Sequence, residues 1–180
     1  LLGWAIGDCP DRFGGYRTAD NVEALRLCAS AQGGADSENW NTLASRYFKF
    51  TIEALAEDGA IRIHRDALGR WREEEDASLL VAQAARALTA VVKSDLPITQ
   101  RMSASDALSQ LMPHAANALK PLTIATWMLS LSALPEAHPA RDDQLLARLD
   151  VALLRNHSLR SPRHKSDRFE TTWTPGAATI

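Results

Sequence analysis

A chain of 180 residues is long enough to bury its own hydrophobic core and corresponds to one domain, or to one domain and a tail. The hydrophobic share of 46% and the charged share of 23% are typical of globular proteins and exclude disordered and membrane-embedded classes. A net charge of −2 gives no global field that would attract nucleic acid or acidic lipid, so any such binding must be local.

The cysteines and the N-terminus bear on the cellular compartment. Cys9 and Cys28 are the only cysteines and lack CxxC spacing, so we expect free thiols in a reducing compartment, with a single bridge as the alternative. The first residues hold neither a basic stretch nor a cleavage site typical of export. We therefore expect a cytoplasmic protein without metal, cofactor or membrane contact, and the start at Leu1 suggests a piece of a longer polypeptide.

The first 32 residues are predicted to form an arm and a helix. Residues 1–19 carry four glycines and a proline among aromatic side chains, which is typical of an ordered arm with little regular structure. A helix over 21–32 is predicted next, because Asp20 or Asn21 can cap it and two consecutive glycines stop it.

The strongest local pattern is a helix followed by a hairpin. Apolar residues recur every three or four positions after Ser37, and the Asp-Gly pair at 58–59 closes this helix. Two alternating isoleucines follow, and the chain returns through Gly69 to Trp71. This pattern predicts a β-hairpin at about 60–73, the one strand pattern in the chain.

Two helices are predicted in the middle of the chain. The acidic run at 73–76 precedes a helix over about 77–94, where negative charge near the N-terminus is favourable. The next helix is predicted to begin at Ser103, with Asp106 at capping-box spacing, and Pro113 is expected to end it.

Two further helices are predicted before the tail. Pro121 precedes an apolar run at 122–134 that is too short to span a bilayer and predicts a buried helix, in the core or at an interface. After a proline-containing connector, Asp142 or Asp143 begins a helix to about residue 156, with leucines along one side.

The chain from His157 onward has no apolar period and predicts a basic, extended tail over 157–180, which Phe169 and Trp173 can anchor. Its cations can neutralise phosphates, which would imply a nucleic-acid or acidic-protein partner; the alternative is a solvated tail. The candidate contact residues are Arg155, Arg160, Arg163, Lys165 and Arg168.

No catalytic motif is present in the sequence. It lacks the glycine-rich nucleotide-binding patterns, the GxSxG elbow, HExxH and a calcium loop. His64-Arg65-Asp66 matches the kinase catalytic-loop triplet, but it lies in the predicted hairpin without the other kinase motifs, so we treat it as coincidence. The acidic run at 73–76 offers paired carboxylates, but at a helix start a solvated cap is the simpler interpretation.

Two isolated groups remain as candidates for chemistry. His138, Asp142 and Asp143 are spaced closely enough to share a metal, although aspartates at this point also cap the last helix. Cys9 is a potential nucleophile, but its neighbours mark neither a helix N-terminus nor a cationic pocket, which favours a structural thiol.

Residues 43–71 carry a helix, an acidic-glycine turn, a short strand and a returning Gly-Arg-Trp segment. In this order they resemble the helix and wing of a winged-helix unit. The resemblance implies nucleic-acid binding through the helix at 42–58, which is less basic than a recognition helix should be, and through the wing. The wing contacts would be Arg62, Arg65, Arg70, Trp71 and Arg72.

A second resemblance rests on the sequence LAEDG at 55–59, with Gly69 and Trp71 behind it, and on the helix at 88–92 and Leu-Met-Pro at 111–113. This pattern resembles the helical lid that precedes the SAM-binding core in carbon-methyltransferase domains of polyketide synthases. The glycine-rich acidic motif of that core does not follow. The resemblance implies a non-catalytic role in covering the pocket of a neighbouring catalytic unit.

Together these patterns predict a mainly α fold, a multi-helix domain over residues 1–156 with one short hairpin and a basic tail. We expect a non-catalytic accessory or interaction module that works by interdomain or protein–protein packing, such as a lid or adaptor in a larger biosynthetic assembly. The alternative is a winged-helix-type nucleic-acid-binding protein that uses the helix at 42–58, the wing at 62–72 and the tail. An enzyme without recognisable motifs, using His138, Asp142 or Cys9, is a third hypothesis.

Overall fold

The structure is a computed structural model that describes residues 5–6, 9–10, 14–31, 36–72 and 77–160. Within these residues the chain is mainly α-helical, as predicted, with short strands near its beginning and after the second helix. The strands and helices are, in chain order, β1 (Ala5–Ile6), β2 (Cys9–Pro10), β3 (Tyr16–Arg17), α1 (Thr18–Ser30), α2 (Ser37–Ala54), β4 (His64–Arg65), β5 (Trp71–Arg72), α3 (Ser78–Lys93), α4 (Ile98–Ala116), α5 (Pro121–Ser132) and α6 (Asp143–Arg160).

The helix α3 lies at the centre of the bundle. It packs against α1, α4 and α5, while α2 packs on α1 and α6 packs on α5. Its sequence is rich in alanine, and Ala82, Ala84, Ala85 and Ala87 are fully buried. Small side chains allow neighbouring helices to approach closely, so this composition suits a helix that contacts three others. The predicted helix over 77–94 is confirmed within one residue at each end.

The predicted hairpin is confirmed, but its strands are shifted and a third strand joins it. Strands β4 and β5 pair antiparallel, and β3 from the N-terminal arm pairs with the other edge of β4. The expectation that the hairpin holds the only strands was therefore wrong. Within the predicted arm over 1–19, the described residues include three strands of two residues each and the start of α1, whereas residues 1–4, 7–8 and 11–13 lie outside the described part of the chain. The pairing of β3 with β4 joins residues nearly fifty positions apart, which local alternation does not reveal.

The helix α1 begins three residues earlier than predicted. Arg17 is the extended residue before the helix, and Asn21 lies inside it, where the side-chain amide donates a hydrogen bond of 2.7 Å to the Arg17 carbonyl. The predicted caps, Asp20 and Asn21, are thus first-turn residues. Thr18 ties the helix start to the hairpin, since its backbone N–H donates to the Ile63 carbonyl at 2.9 Å.

The helix α2 ends at Ala54, four residues before the predicted end at 58. Leu55 adopts an extended conformation and forms an isolated antiparallel bridge with Ile61. The intervening turn requires a positive φ, which Gly59 supplies at 78°. The acidic-glycine signal therefore marks the turn that follows the helix, and the bridge replaces the last predicted helical turn.

The helix α4 begins at Ile98 and continues to Ala116, so the predicted start at Ser103 and the predicted break at Pro113 were both wrong. Pro97 precedes the helix, and its carbonyl accepts the first backbone hydrogen bonds of the helix. Pro113 lies in the last turn and is exposed, so its ring removes a hydrogen bond only near the end of the helix. Pro121 is the first residue of α5, as predicted.

The apolar run at 122–134 is part of the core. Ile124, Trp127 and Leu131 are fully buried, whereas Leu122 and Leu129 are 65% and 53% exposed. One face of α5 thus fills the bundle and the opposite face meets solvent. In the described residues, no helix is long and apolar enough to cross a membrane.

The helix α6 continues to Arg160, beyond the predicted end at 156, so the first four residues assigned to the extended tail are helical. Residues 157–160 contain neither glycine nor proline, and the first proline of the tail is Pro162. Residues 161–180 lie outside the described part of the chain.

Candidate functional site

Three of the predicted wing arginines are engaged within the protein. The Arg65 guanidinium donates to Glu53 Oε2 at 2.9 Å and to the Gly69 carbonyl at 2.9 Å. Arg70 Nε lies 2.9 Å from Asp66 Oδ2 in an ion pair. Arg62 donates to the Glu53 carbonyl at 3.2 Å. These side chains stabilise the hairpin and its contact with α2, and the charges of Arg65 and Arg70 are paired with acidic side chains.

Trp71 belongs to an aromatic cluster with Phe50 and Tyr16. The Phe50 ring centroid lies 5.4 Å from that of Trp71 and 6.2 Å from that of Tyr16. The guanidinium carbons of Arg65 and Arg62 lie 5.4 and 5.9 Å from the Trp71 centroid, which is cation–π distance. This cluster holds the small sheet against α2, and Trp71 is only half exposed.

Three cations without a partner among the described residues lie on or beside the hairpin; Arg72 was predicted as a contact residue, whereas Arg46 and Lys49 were not. Arg46 and Lys49 are exposed on α2 and have no ion pair or hydrogen bond within the described residues, and the same holds for Arg72. Arg46 and Lys49 lie four residues before Phe50 and Glu53, which contact the hairpin, so all four residues are on the same side of α2. The sequence shows this spacing, but it does not show that this side of α2 faces the hairpin.

The triplet His64-Arg65-Asp66 serves the hairpin, as its isolation from other kinase motifs suggested. His64 Nε2 lies 2.9 Å from the Gly14 carbonyl. Asp66 Oδ1 accepts hydrogen bonds from the backbone N–H groups of Leu68 and Arg70 at 3.0 and 2.9 Å. The backbone N–H of Arg70, with its guanidinium, holds the pKa of Asp66 below its ordinary value. The carboxylate thus closes the turn.

The proposed metal ligands are also committed to local structure. His138 Nδ1 accepts from the Ala140 N–H at 3.2 Å, so Nε2 carries the proton and donates to Ser105 Oγ at 3.1 Å. Burial lowers the pKa of His138, which favours this neutral form. Asp142 Oδ1 accepts from the Leu145 N–H at 2.9 Å, which confirms the capping interpretation.

Asp143 pairs with Arg141 at 3.0 Å. Across the described stretches, no group of three histidine, cysteine or acidic side chains is arranged to hold a metal ion. Cys28 is a free, buried thiol whose pKa is raised by burial, so a bridge from it to Cys9 is not formed. The side chain of Cys9 and the acidic run at 73–76 lie outside the described residues.

The structure describes only the first part of the predicted basic tail. Arg155 is exposed on the outer side of α6, next to a shallow groove formed by residues of the same helix. Arg160 is the last residue of α6, and its side chain is not described. Arg163, Lys165 and Arg168 lie beyond the described residues.

A cleft of about 510 Å³ lies between α1 and α5, with α3 beneath it. The last turns of these three helices meet there. Arg26, Arg86 and Lys93 bring positive charge to the cleft, and Asp95 brings one negative charge. The other lining residues are Ala29, Ser30, Thr89, Ala90, Ser94, Leu129 and Ala133. This cleft was not predicted from the sequence, because three segments far apart in the chain form it.

A second notable surface is the outer face of α5. This helix, PLTIATWMLSLS, contains no charged residue. Leu122 and Leu129 are two turns apart on its exposed side, and Leu119, just before the helix, is 83% exposed. We call these three residues the leucine face. A helix that is apolar on all sides is normally covered on all sides, so this face is unusual for a solvent-facing surface.

Comparisons with protein-family models, with curated proteins and with solved structures returned no match. Inferences about function therefore depend on the geometry described above.

Proposed function

We propose that this protein is a non-catalytic interaction module, which uses the leucine face to pack against a neighbouring domain or a partner protein. The observation that carries the proposal is the chargeless helix α5, whose inner face fills the core while its outer face presents leucines to solvent. Burying a leucine side chain contributes roughly 1.5–3 kcal/mol, so two or three such residues can anchor an interface. A role as a lid or adaptor in a larger cytoplasmic assembly fits this mode of action.

The contacts around the candidate catalytic groups support a non-catalytic role. His138 and Asp142 each have a local structural partner, whereas the side chain of the third candidate, Cys9, lies outside the described residues. Reactive groups in active sites instead converge on a cleft with perturbed pKa values. The cleft between α1 and α5 contains no histidine or cysteine.

The test is site-specific photocrosslinking in the producing cells. A photoreactive phenylalanine analogue replaces Leu122 in one variant and Leu68 in a control, since Leu68 is also highly exposed, at 77%, but lies in the hairpin turn. We expect one defined adduct from position 122, lost when Leu119→Glu is added, and none from position 68. Equal adducts at both positions, or none at position 122, would refute the proposal.

Nucleic-acid binding is a second candidate function, favoured by the three unpartnered cations Arg46, Lys49 and Arg72. Arg46 and Lys49 lie on the side of α2 that faces the hairpin, and Arg72 directly follows Trp71 in β5. We infer that a phosphate backbone would contact these residues, and not Arg65 or Arg70, whose charges are paired inside the protein.

This candidate is tested by binding to labelled single- and double-stranded nucleic acid across a salt series. Lys49→Gln should lower the slope of log affinity against log salt by about 1, since each phosphate contact contributes about 0.9 to it. Arg148→Gln, an exposed charge on α6, is the matched control. A variant that ends at Asn156 measures the contribution of the tail. Absence of binding at low salt removes this candidate.

A further inference from the structure

The cleft between α1 and α5 exists because small side chains form its walls. The wall contains Ala29 of α1, Ala90 of α3 and Ala133, the residue directly after α5. Both α1 and α5 pack against α3, and the space between them stays open. Its volume of about 510 Å³ falls within the range of roughly 300–1,000 Å³ that is usual for small-molecule sites.

Two cations in this cleft have no partner. Arg86 and Lys93 make no hydrogen bond or ion pair within the described residues, whereas Arg26 is held by Glu23 at 2.7 Å. Arg86 is partly buried and Lys93 is exposed, as is usual when the aliphatic stem of a long cation lies along the protein surface and its charged end reaches solvent. Seven residues separate Arg86 from Lys93, so they lie on one side of α3, about 10 Å apart along the helix axis.

Negative charge at the same place does not cancel this pair. The C-terminal ends of α1, α3 and α5 contribute partial negative charges, but the carbonyls of Leu27, Val91 and Leu131 already accept backbone hydrogen bonds from the residues that follow each helix. Asp95 is engaged in a contact of its own. Full charges on long side chains can reach a ligand directly, whereas helix-end effects are small at an exposed site and are screened by salt.

We propose that this cleft binds a small organic phosphate, with the phosphate group between Arg86 and Lys93 and its apolar part against Leu129. A phosphate monoester carries close to two negative charges at neutral pH, which matches the two unpartnered cations. Ser30 supplies an exposed hydroxyl at the same space, and Leu129 with Ala133 supplies an apolar wall. The Ser94 hydroxyl is already engaged, since it donates to the Val91 carbonyl at 2.7 Å. The proposed phosphate site and the leucine face share a single residue, Leu129.

Phenyl phosphate is the probe, because its ring and its phosphate address the two parts of the cleft separately. Titration calorimetry and two-dimensional NMR of the full chain should show saturable binding with a dissociation constant in the millimolar range or below. Arg86→Gln and Lys93→Gln should each weaken binding at least tenfold, whereas Arg148→Gln, the matched control on α6, should leave it unchanged. Leu129→Ser should weaken binding of phenyl phosphate but not of inorganic phosphate.

Circular dichroism and thermal unfolding verify that each variant folds, so that lost binding is not lost structure. Non-saturable binding, or equal weakening by Arg86→Gln and Arg148→Gln, would overturn the proposal, because either result would indicate only a general attraction of phosphate to surface cations. Equal affinity of phenyl phosphate for the wild-type protein and for Lys93→Gln would also overturn the proposal.

Discussion

The hydroxyl pair of Thr89 and Ser130 offers a sharp test of how α3 and α5 are held together. Both residues are buried, and their hydroxyl oxygens lie 2.9 Å apart. The Thr89 hydroxyl donates its proton to the Ala85 carbonyl at 2.9 Å, so Ser130 must be the donor between the helices. Thr89→Val therefore removes the acceptor and leaves the buried Ser130 proton without its partner, whereas Ser130→Ala leaves the bond from Thr89 to Ala85 intact.

The expected cost of the two substitutions differs for this reason. A buried donor without a partner costs about 1–3 kcal/mol, and Ser130 can regain part of this by turning to the carbonyl one helical turn before it. We expect Thr89→Val to destabilise the protein by about 1–2 kcal/mol and Ser130→Ala by less, with the double variant less destabilised than the sum.

Chemical denaturation of the four proteins in a double-mutant cycle measures this coupling. In thermal unfolding, Thr89→Val should lower Tm by roughly 2–4 °C for each kcal/mol in a chain of this size. Additive effects, with a coupling free energy near zero, would show that the two hydroxyls do not form the bond between the helices. Ser130→Ala costing more than Thr89→Val would show that the donor assignment is reversed.

Three further outcomes follow from local geometry. Gly59 and Gly69 both have φ near 80°, but a Cβ at Gly59 would lie 2.6 Å from a carbonyl oxygen of α4, whereas a Cβ at Gly69 would meet only the Arg65 guanidinium, at an ordinary contact distance of 3.6 Å. Gly59→Ala should therefore destabilise the protein by at least about 1 kcal/mol more than Gly69→Ala in urea unfolding. In a Cys9→Ser background, Cys28 should react with a thiol reagent only as fast as the protein unfolds, and rapid labelling of the native state would contradict its burial. Burial lowers the pKa of His138 below the ordinary value of 6.5, so as the pH falls the imidazole is protonated in the unfolded chain before it is protonated in the folded protein. The contribution of neutral His138 to stability is therefore complete above pH 6.5 and is lost as the pH falls below 6.5. The variant His138→Gln should lack this component when unfolding is compared at pH about 7.5 and about 5.5, and an identical loss in both proteins would refute the assignment.

The parts of the fold that the sequence predicted are those encoded by neighbouring residues. The apolar period of α3 predicted both ends of this helix, because such a period depends only on the spacing of residues within one segment of the chain. Gly69 and the residues beside it predicted the turn of the hairpin, since a positive φ is a local requirement. The apolar run at 122–134 predicted a buried helix, but the sequence left open whether it lies in the core or at an interface, and it did not distinguish the buried face of α5 from the exposed one.

The parts that the sequence did not predict depend on contacts between distant segments. The strand β3 forms because β4 offers an unpaired edge, and α2 ends early because Leu55 bridges to Ile61. The start of α4 had a local signal, Pro97 before a helix-compatible stretch, but the stronger capping pattern at Ser103 concealed it. Pro113 was given too much weight, because a proline in the last helical turn costs less than one in the interior.

Charge alone was a poor guide to the candidate sites, and the reason is specific. The sequence shows where arginines are, but the acceptors that engage them are distant or depend on the turn: Arg65 is held by Glu53 from the preceding helix, and Arg70 by Asp66 across the hairpin turn. A cation is available to a ligand only where the fold leaves it without an internal acceptor, and then only where the surrounding surface is concave enough to exclude part of the water. Among the described residues the cleft beside α3 meets both conditions, with Arg86 and Lys93, whereas the hairpin meets neither for Arg65 and Arg70. The hairpin, which has the strongest local pattern in the sequence, mainly holds a small sheet on α2. The cations without a partner in the cleft instead lie on α3, a helix whose sequence is typical of a buried core.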